Sequence, residues 1–275
     1  MHQCLPRSTL VAAIAPFLLI SSCSTSNAPK DLRNCPRCDL RGLDLRNASL
    51  SAATLYLADL HGANLSRAIL RASNLSNANL SGANLSNASL TGAYLIRANL
   101  RNADLRNATL VATDLQEANL ENANLSLANL SSANLKGVQF SQTNLSGAKL
   151  SQANLSGVDL RGVDLQDSNL EQAQLDQANL ENVNLTLANL SQANLADAQL
   201  AGANLQGAVL INPDLSGADF RNANLTGVTL SQGNLDAANF ANATLAFAES
   251  GNVDFRGAIW TDGKTCLNPD CFHRQ

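Results

Sequence analysis

Apolar residues recur in this chain at every fifth position. All forty-two positions at that spacing from Leu40 to Leu245 are Leu, except Phe140, Phe220 and Phe240. Ser250 breaks the series, and Phe255 and Trp260 resume it without any shift of frame. Two residues before each centre, 29 of the 42 positions are Ala; one residue before it, Asn or Asp predominates. The unit therefore reads Ala-(Asn/Asp)-Leu-x-x. A period of five fits neither a helix of 3.6 residues per turn nor a continuous strand of period two. Within a unit, however, Ala and Leu are two residues apart and point the same way, as in a strand. The next two positions are rich in Gly, Asn and Ser, which suit a corner. Each pentad is predicted to be one short side and one turn, and chained sides make stacked coils.

The period alone does not say how many sides close a coil, because three need fifteen residues and four need twenty. The columns do. At spacing twenty, the residue before the centre is Asn or Asp at all ten positions from Asp44 to Asn224, whereas the column from Ser49 to Thr229 has Asn at only three, Asn129, Asn169 and Asn189. Phe140, Phe220 and Phe240 also fall in one column at that spacing. Four sides per coil follow, with Asn above Asn expected to form a side-chain amide ladder.

These residues resemble the pentapeptide-repeat family across residues 38–262, in units such as Gly82-Ala83-Asn84-Leu85-Ser86 and Gly202-Ala203-Asn204-Leu205-Gln206. The resemblance implies an all-β fold, a right-handed quadrilateral parallel β-helix with Leu and Ala inside. The handedness comes only from the family. About eleven coils at ~4.8 Å make a solenoid of roughly 50 Å. Each buried Leu contributes ~1.5–3 kcal/mol. Pro213 replaces Ala within the run and has no N–H to donate, so a local distortion is expected there. Residues 246–275 depart from the repeat and carry Phe247, Trp260 and Phe272. Trp260 is expected to serve as a C-terminal lid, with a homodimer contact through that end as the alternative.

The N-terminus is different in kind. Residues 8–20 are almost wholly apolar, too short a run to span a bilayer as a helix and interrupted by Pro16. The length is that of a signal-peptide core. It ends in Ile20-Ser21-Ser22-Cys23, which resembles the bacterial lipobox and implies that Cys23 is lipidated and becomes the new N-terminus. The chain then divides into a lipoprotein signal peptide, 1–22, a lipid-anchored tether, 23–37, the repeat, 38–262, and a C-terminal tail, 263–275. Removal of the signal leaves 17 Lys+Arg against 22 Asp+Glu, a net of −5. The expected location is the bacterial cell envelope, with the protein held to a membrane on its periplasm-facing side or at the outer membrane.

Candidate chemistry is sparse. A formal net charge of −4 excludes a strongly basic nucleic-acid binder, and aromatics are only 4% of the chain. Cys35-Pro36-Arg37-Cys38 is a C-x-x-C, and Cys266 and Cys271 lie in the tail. A four-cysteine zinc site would need the two ends of the rod to meet. In an exported chain two local disulfides, or free thiols, fit better, Cys266–Cys271 ahead of Cys35–Cys38, whose ring is tight. His61 sits on the outer face, and no Ser/His/Asp set has reason to converge. Glu117/Glu121 and Asp164/Asp167 fall at outer positions as surface charge. No catalytic residue, cofactor box or metal site is expected. Residues 40–110 hold seven bases (Arg41, Arg46, Arg67, Arg71, Arg97, Arg101, Arg106) and three acids; residues 111–200 hold ten acids and three bases. Drift of outward positions accounts for this, or else the basic end rests on anionic head groups.

Two functions from different classes remain. One is a non-catalytic structural or protein-interaction solenoid anchored in the envelope, its protein partner unknown and no nucleic acid expected. The other, implied by the resemblance alone, is a DNA-mimicking inhibitor or protector of gyrase. The basic N-terminal half and the export signal depart from that second expectation.

Overall fold

A computed structural model describes residues 32–246, 248–251, 253–267 and 271. Cys23, the signal peptide, most of the tether, Phe247 and Phe272 lie outside the described residues. Within them the pentads share one local form, those centred on Leu210 and Leu230 excepted. The carbonyl of the central residue accepts a hydrogen bond from the N–H three residues on, as Leu60 O does from Ala63 N at 2.9 Å. The third residue of that turn has positive φ, as at Gly62 (62°) and Asn87 (59°). Gly and Asn recur there because they tolerate the left-handed region. Arg97, Leu127 and Gln172 are held in it too, at 56°, 59° and 58°. Their strain is carried by the ladder bonds that flank each corner.

The residue before each centre pairs in parallel with the residue twenty further on: Asn64 with Asn84, Asn84 with Asp104. Leu65 N–H donates to Asn84 O at 2.7 Å, and Asn84 N–H to Ala63 O at 2.9 Å. One coil is thus twenty residues and four sides, the number that the sequence columns give. Among the described residues most sides are single bridges, there is no helix long and apolar enough to cross a membrane, and three strands are longer: β1 (Val209–Ile211), β2 (Thr229–Ser231) and β3 (Glu249–Gly251), one parallel sheet in that order. The lengthening starts where Pro213 follows. Proline lacks the N–H that would close the turn onto Leu210 O, so the corner opens and the strand runs two residues further, to Ile211. The next coil carries Gly233 above it, where a Cβ would come within 3.1 Å of the Pro213 ring.

The centres form the core. The central-column Leu side chains from Leu55 to Leu205 are fully buried, and the Ala column closes the narrow interior beside them. Polar residues that enter the Ala column bond to carbonyls: Ser73 Oγ to Leu70 O at 2.7 Å, Thr113 Oγ1 to Leu90 O at 3.0 Å and Thr143 Oγ1 to Leu120 O at 2.7 Å. Among the described residues Ser168 Oγ is buried with no hydrogen-bond partner. Toward the C-terminus the Leu column turns aromatic. The Phe220 and Phe240 rings stack at 4.9 Å, and Trp260 lies 5.7 Å from Phe240 and edge-on to Phe255 at 4.9 Å.

The N-terminal boundary of the repeat differs from the expected residue 38, whereas the coils run on to Thr261, whose carbonyl accepts Asn242 N at 2.9 Å. Stacking begins earlier, because Asn34 bridges Thr54 and the buried Cys35 occupies a central position that a Leu-based count misses. Residues 32–37 are therefore part of the first coil rather than of a tether. At the other end the chain reverses: Ile259 pairs antiparallel with Thr265, Trp260 N–H donates to Lys264 O and Cys266 N–H to Ala258 O, both at 2.8 Å. This fold-back covers the last ladder edge, and Trp260, Cys266 and Cys271 are buried beneath it. A paired edge is no longer a template for another chain.

Candidate functional site

Any site on this chain must be built from outward positions, the residue before each centre and the two corner residues after it. Most of the first kind are committed to the backbone. Asn64 Oδ1 accepts the Ser66 N–H at 3.1 Å, Asn124 Oδ1 the Ser126 N–H at 3.0 Å and Asn224 Oδ1 the Thr226 N–H at 3.1 Å. These are Asx turns: the short side chain satisfies an N–H that the corner leaves unpaired. The expected amide ladder is real only in places. Asn99 Nδ2 donates to Asn79 Oδ1 (3.2 Å), Asn79 Nδ2 to Asp59 Oδ1 (2.9 Å) and Asn224 Nδ2 to Asn204 Oδ1 (2.9 Å). The two bonds coexist where the ladder forms, since Asn79 Oδ1 accepts both the Ser81 N–H and Asn99 Nδ2, but the Asx turn recurs far more widely. A ladder that the sequence reading missed runs along one corner: Ser132 Oγ to Gln152, Gln152 Nε2 to Gln172 at 2.8 Å, and Gln172 Nε2 to Gln192 at 2.9 Å. Its signal was Gln at 152, 172 and 192, at the coil spacing.

The charges pair in a repeated way. Where Asp precedes a centre and Arg follows it, the two meet across the corner: Asp44–Arg46 at 2.6 Å, and Asp104–Arg106, Asp159–Arg161 and Asp219–Arg221 at 2.7 Å. The Arg106 hydrogen bond holds the Asp104 carboxyl below its ordinary range, with burial opposing it, and Arg161 and Arg221 act likewise on Asp159 and Asp219. Glu117 and Glu121 are not a carboxylate pair. They take Arg97 at 2.7 Å and Arg101 at 2.8 Å from the preceding coil. Asp164 accepts the Gln166 N–H and Asn184 Nδ2, while Asp167 accepts Gln166 Nε2. Five of the seven arginines between residues 40 and 110 thus carry a carboxylate, Arg41 with Asp39 among them, and Arg71 Nε donates to Ser89 Oγ. His61 Nδ1 lies 2.9 Å from Ser81 Oγ.

The cysteines occupy the two ends. Cys35 and Cys38 form a disulfide with Cα atoms 5.5 Å apart, and Cys266 and Cys271 form another at 5.9 Å. The first closes a turn of the first coil; the second fastens the C-terminal fold-back. The two pairs do not converge, and among the described residues no group of His, Cys, Asp or Glu is placed to hold a metal ion.

One surface depression has a structural cause. A cleft of about 460 Å3 is lined by Glu121, Val138, Gln139, Phe140, Ser141, Asp159 and Arg161. It lies where the bridge expected between Gln139 and Asp159 is absent, although Asn119 bridges Gln139 below it and Asp159 bridges Asn179 above it. Exposed apolar side chains are scattered over the coils, and two of them, Leu127 and Leu187, each reach over a corner glycine of the next coil, Gly147 and Gly207.

Comparison with known proteins agrees with this geometry. Models of pentapeptide repeats match residues 34–71, 73–110, 153–192, 188–227 and 223–259, and a model of a pentapeptide repeat region matches 93–170. No curated protein matches the chain. Among solved structures, the chain is 34% identical to HetL, a pentapeptide repeat protein involved in heterocyst differentiation regulation from the cyanobacterium Nostoc sp. strain PCC 7120, over 85% of this chain and 94% of that one, with a TM-score of 0.33. It is 30% identical to Rfr23, a pentapeptide repeat protein of the cyanobacterium Cyanothece 51142, over 53% of this chain and 90% of that one (TM-score 0.23). It is 18% identical to QnrB1, a plasmid-mediated fluoroquinolone resistance protein, over 80% and 92% (TM-score 0.36). The match to the family models over nearly the whole coiled region establishes that this chain belongs to the pentapeptide repeat protein family.

Proposed function

We propose that the chain is a right-handed quadrilateral β-helix solenoid that works without catalysis, as a structural or protein-binding rod anchored by lipidated Cys23 in the bacterial cell envelope. The observation that carries the non-catalytic reading is the use of the outer polar groups. Among the described residues, Asn and Asp oxygens are bonded to their own backbone and arginines to neighbouring carboxylates, so general acids, bases and nucleophiles are not assembled there. What the coils offer a partner is flat sides of regular spacing. The anchor rests on the apolar run 8–20 and Ile20-Ser21-Ser22-Cys23. Several acyl chains, each worth ~0.8 kcal/mol per buried CH₂, would hold the rod at a membrane. Head-group attraction adds less than the sequence charges imply, since most arginines of residues 40–110 already have an acidic partner.

The test is intact mass and membrane fractionation of the full-length gene product expressed in a bacterium, beside Cys23→Ala. A membrane-bound species with the mass of acylated residues 23–275, lost in the variant, supports the reading; capture of partners from the envelope then follows. A soluble, full-length wild type in the cytosol overturns it. In that case DNA mimicry at gyrase, which the likeness in repeat to QnrB1 brings to mind, becomes the reading to test by quinolone protection at stoichiometric amounts.

A further inference from the structure

The cleft beside Phe140 marks a break in the ladder. Among the described residues, the bonds that the repeat calls for from Phe140 N to Asp159 O, from Gln142 N to Arg161 O and from Asp159 N to Val138 O are not formed. On the same side the coil below is intact, with Leu120 N to Gln139 O at 2.8 Å, and so is the coil above, with Leu160 N to Asn179 O at 2.8 Å. On the following side the strain continues: Asp164 N to Thr143 O is stretched to 3.3 Å, and Asn184 N does not reach Val163 O.

The Ala column explains the pattern. Val138 lies directly under Val158, and Val163 directly under Val183, each pair in adjacent coils where the repeat provides Ala. Two of the missing bonds, those from Asp159 N and Asn184 N, would be accepted by the lower valine of each pair, Val138 O and Val163 O. Among the described residues the bonds from Leu235 N to Asp254 O, Ala237 N to Arg256 O and Asp254 N to Gly233 O are also missing without a valine pair, but there the Asn234–Asp254 bridge is kept, whereas at the cleft the bridge itself is lost. Against Ala, a single valine leaves the ladder bond in place. Val158 lies under Ala178 and its carbonyl accepts Asn179 N at 2.9 Å; Val183 lies under Ala203 and accepts Asn204 N at 2.9 Å; Val228 lies over Ala208, whose carbonyl accepts Thr229 N at 3.0 Å. The narrow interior beside the Leu column is sized for Ala, so one β-branched side chain against a methyl group fits while two in register crowd it; Thr143 under Val163 goes with the stretched bond from Asp164 N. Phe140, on the same side as Val138 and Val158, adds bulk to the centre column.

The geometry points to a hinge: the stacked valine pairs Val138/Val158 and Val163/Val183 divide the coils into two cooperative stacks, which open at the cleft and pivot about the sides that stay bonded. Those sides are closed by Leu150 N to Asn169 O and Leu145 N to Asp164 O, at 2.7 and 2.8 Å. In a stack whose stability is a sum of nearest-neighbour interfaces, one weak interface inside the run sets where it opens first. The hinge lets surfaces on the two stacks change their relative tilt while each stack stays rigid.

Residue-resolved amide exchange of the full chain tests this. In the wild type the amides of Phe140, Gln142 and Asp159 should exchange roughly tenfold or more faster than those of Leu120 and Leu160, which occupy the same side of neighbouring coils. Val158→Ala should slow them, and Ala178→Val should create a new break by placing valine over Val158, speeding exchange of Asn179 while Leu120 is unchanged. Equal exchange at Phe140 and Leu120 in the wild type overturns the hinge. So does an Ala178→Val chain whose Asn179 stays protected, or one that loses protection everywhere rather than at that interface. If Val158→Ala leaves Phe140 as fast as before, the valine pair is not the cause and the assignment fails.

Discussion

Phe140 and Phe240 occupy the same inner column and meet different surroundings. Phe240 stacks on Phe220 and touches Trp260, so its extra bulk is matched by flat neighbours above and below. Phe140 has leucine above and below, at 160 and 120, and stacked valines beside it. At the aromatic end the coils close, and the chain folds back over Trp260. At Phe140 the ladder parts. The same substitution for leucine is therefore accommodated or not according to whether the next coil changes with it. A repeat of fixed spacing absorbs bulk in columns, not in single positions.

Five substitutions would break or sharpen this contrast. Leu145→Asp places a charge in the dry column one side away from the cleft, at a residue with no exposed surface. It should cost more than about 4 kcal/mol and abolish the cooperative melt monitored by circular dichroism; an unchanged melting curve would contradict the inward packing of the centres. Trp260→Ala removes the aromatic cover at a cost of about 3–5 kcal/mol, and hydrogen exchange should locate the damage in the last coils, leaving Leu120 protected. Next in size is the matched pair. Phe240→Leu should cost about 1–2 kcal/mol through lost ring stacking, whereas Phe140→Leu should stay within about 1 kcal/mol of wild type or stabilise it, both read from denaturant midpoints. Equal losses would mean that the two regions do not differ. Ser168→Ala, which removes a buried hydroxyl with no partner, should gain about 1 kcal/mol by the same measurement.

The smallest expected effect is that of acid. Arginine partners hold Asp104, Asp159 and Asp219 below the ordinary carboxylate range. Their folded values lie under the unfolded ones, so the contribution is complete above a pH of about 4 and is lost as pH falls through the lower folded values. Solvent screening of these surface pairs keeps the effect small. A scan of melting temperature from neutral pH downward should show a shallow decline on the acid side, shallower still in high salt.

Much of this was legible in the sequence because the repeat is so strict. The four-sided coil follows from the Asn/Asp column alone, and the corner positions from Gly and Asn. The irregular parts were harder to read for physical reasons. Cys35 stands in a central position without looking like leucine, so the first coil was taken for tether. The Asn residues were read as a ladder, because spacing reveals neighbours but not which bonds an oxygen makes. The valines at 138, 158, 163 and 183 are four of the thirteen exceptions in the Ala column and look harmless one by one; their effect depends on stacking, which is a property of pairs twenty residues apart. The fold-back at Thr265 has no periodic signal at all.

The closing of every coil after twenty residues has a further consequence for how such a chain can change length. Removing or duplicating twenty residues would subtract or add one storey and leave every column aligned, shifting the far end by ~4.8 Å. Five residues would keep the core in phase but rotate everything beyond them by a quarter turn, carrying the glutamine corner or the paired arginines onto a different wall. A shift of one residue would turn leucines outward along the rest of the rod. The chain is thus editable in whole floors, sensitive to quarter floors, and intolerant of anything smaller.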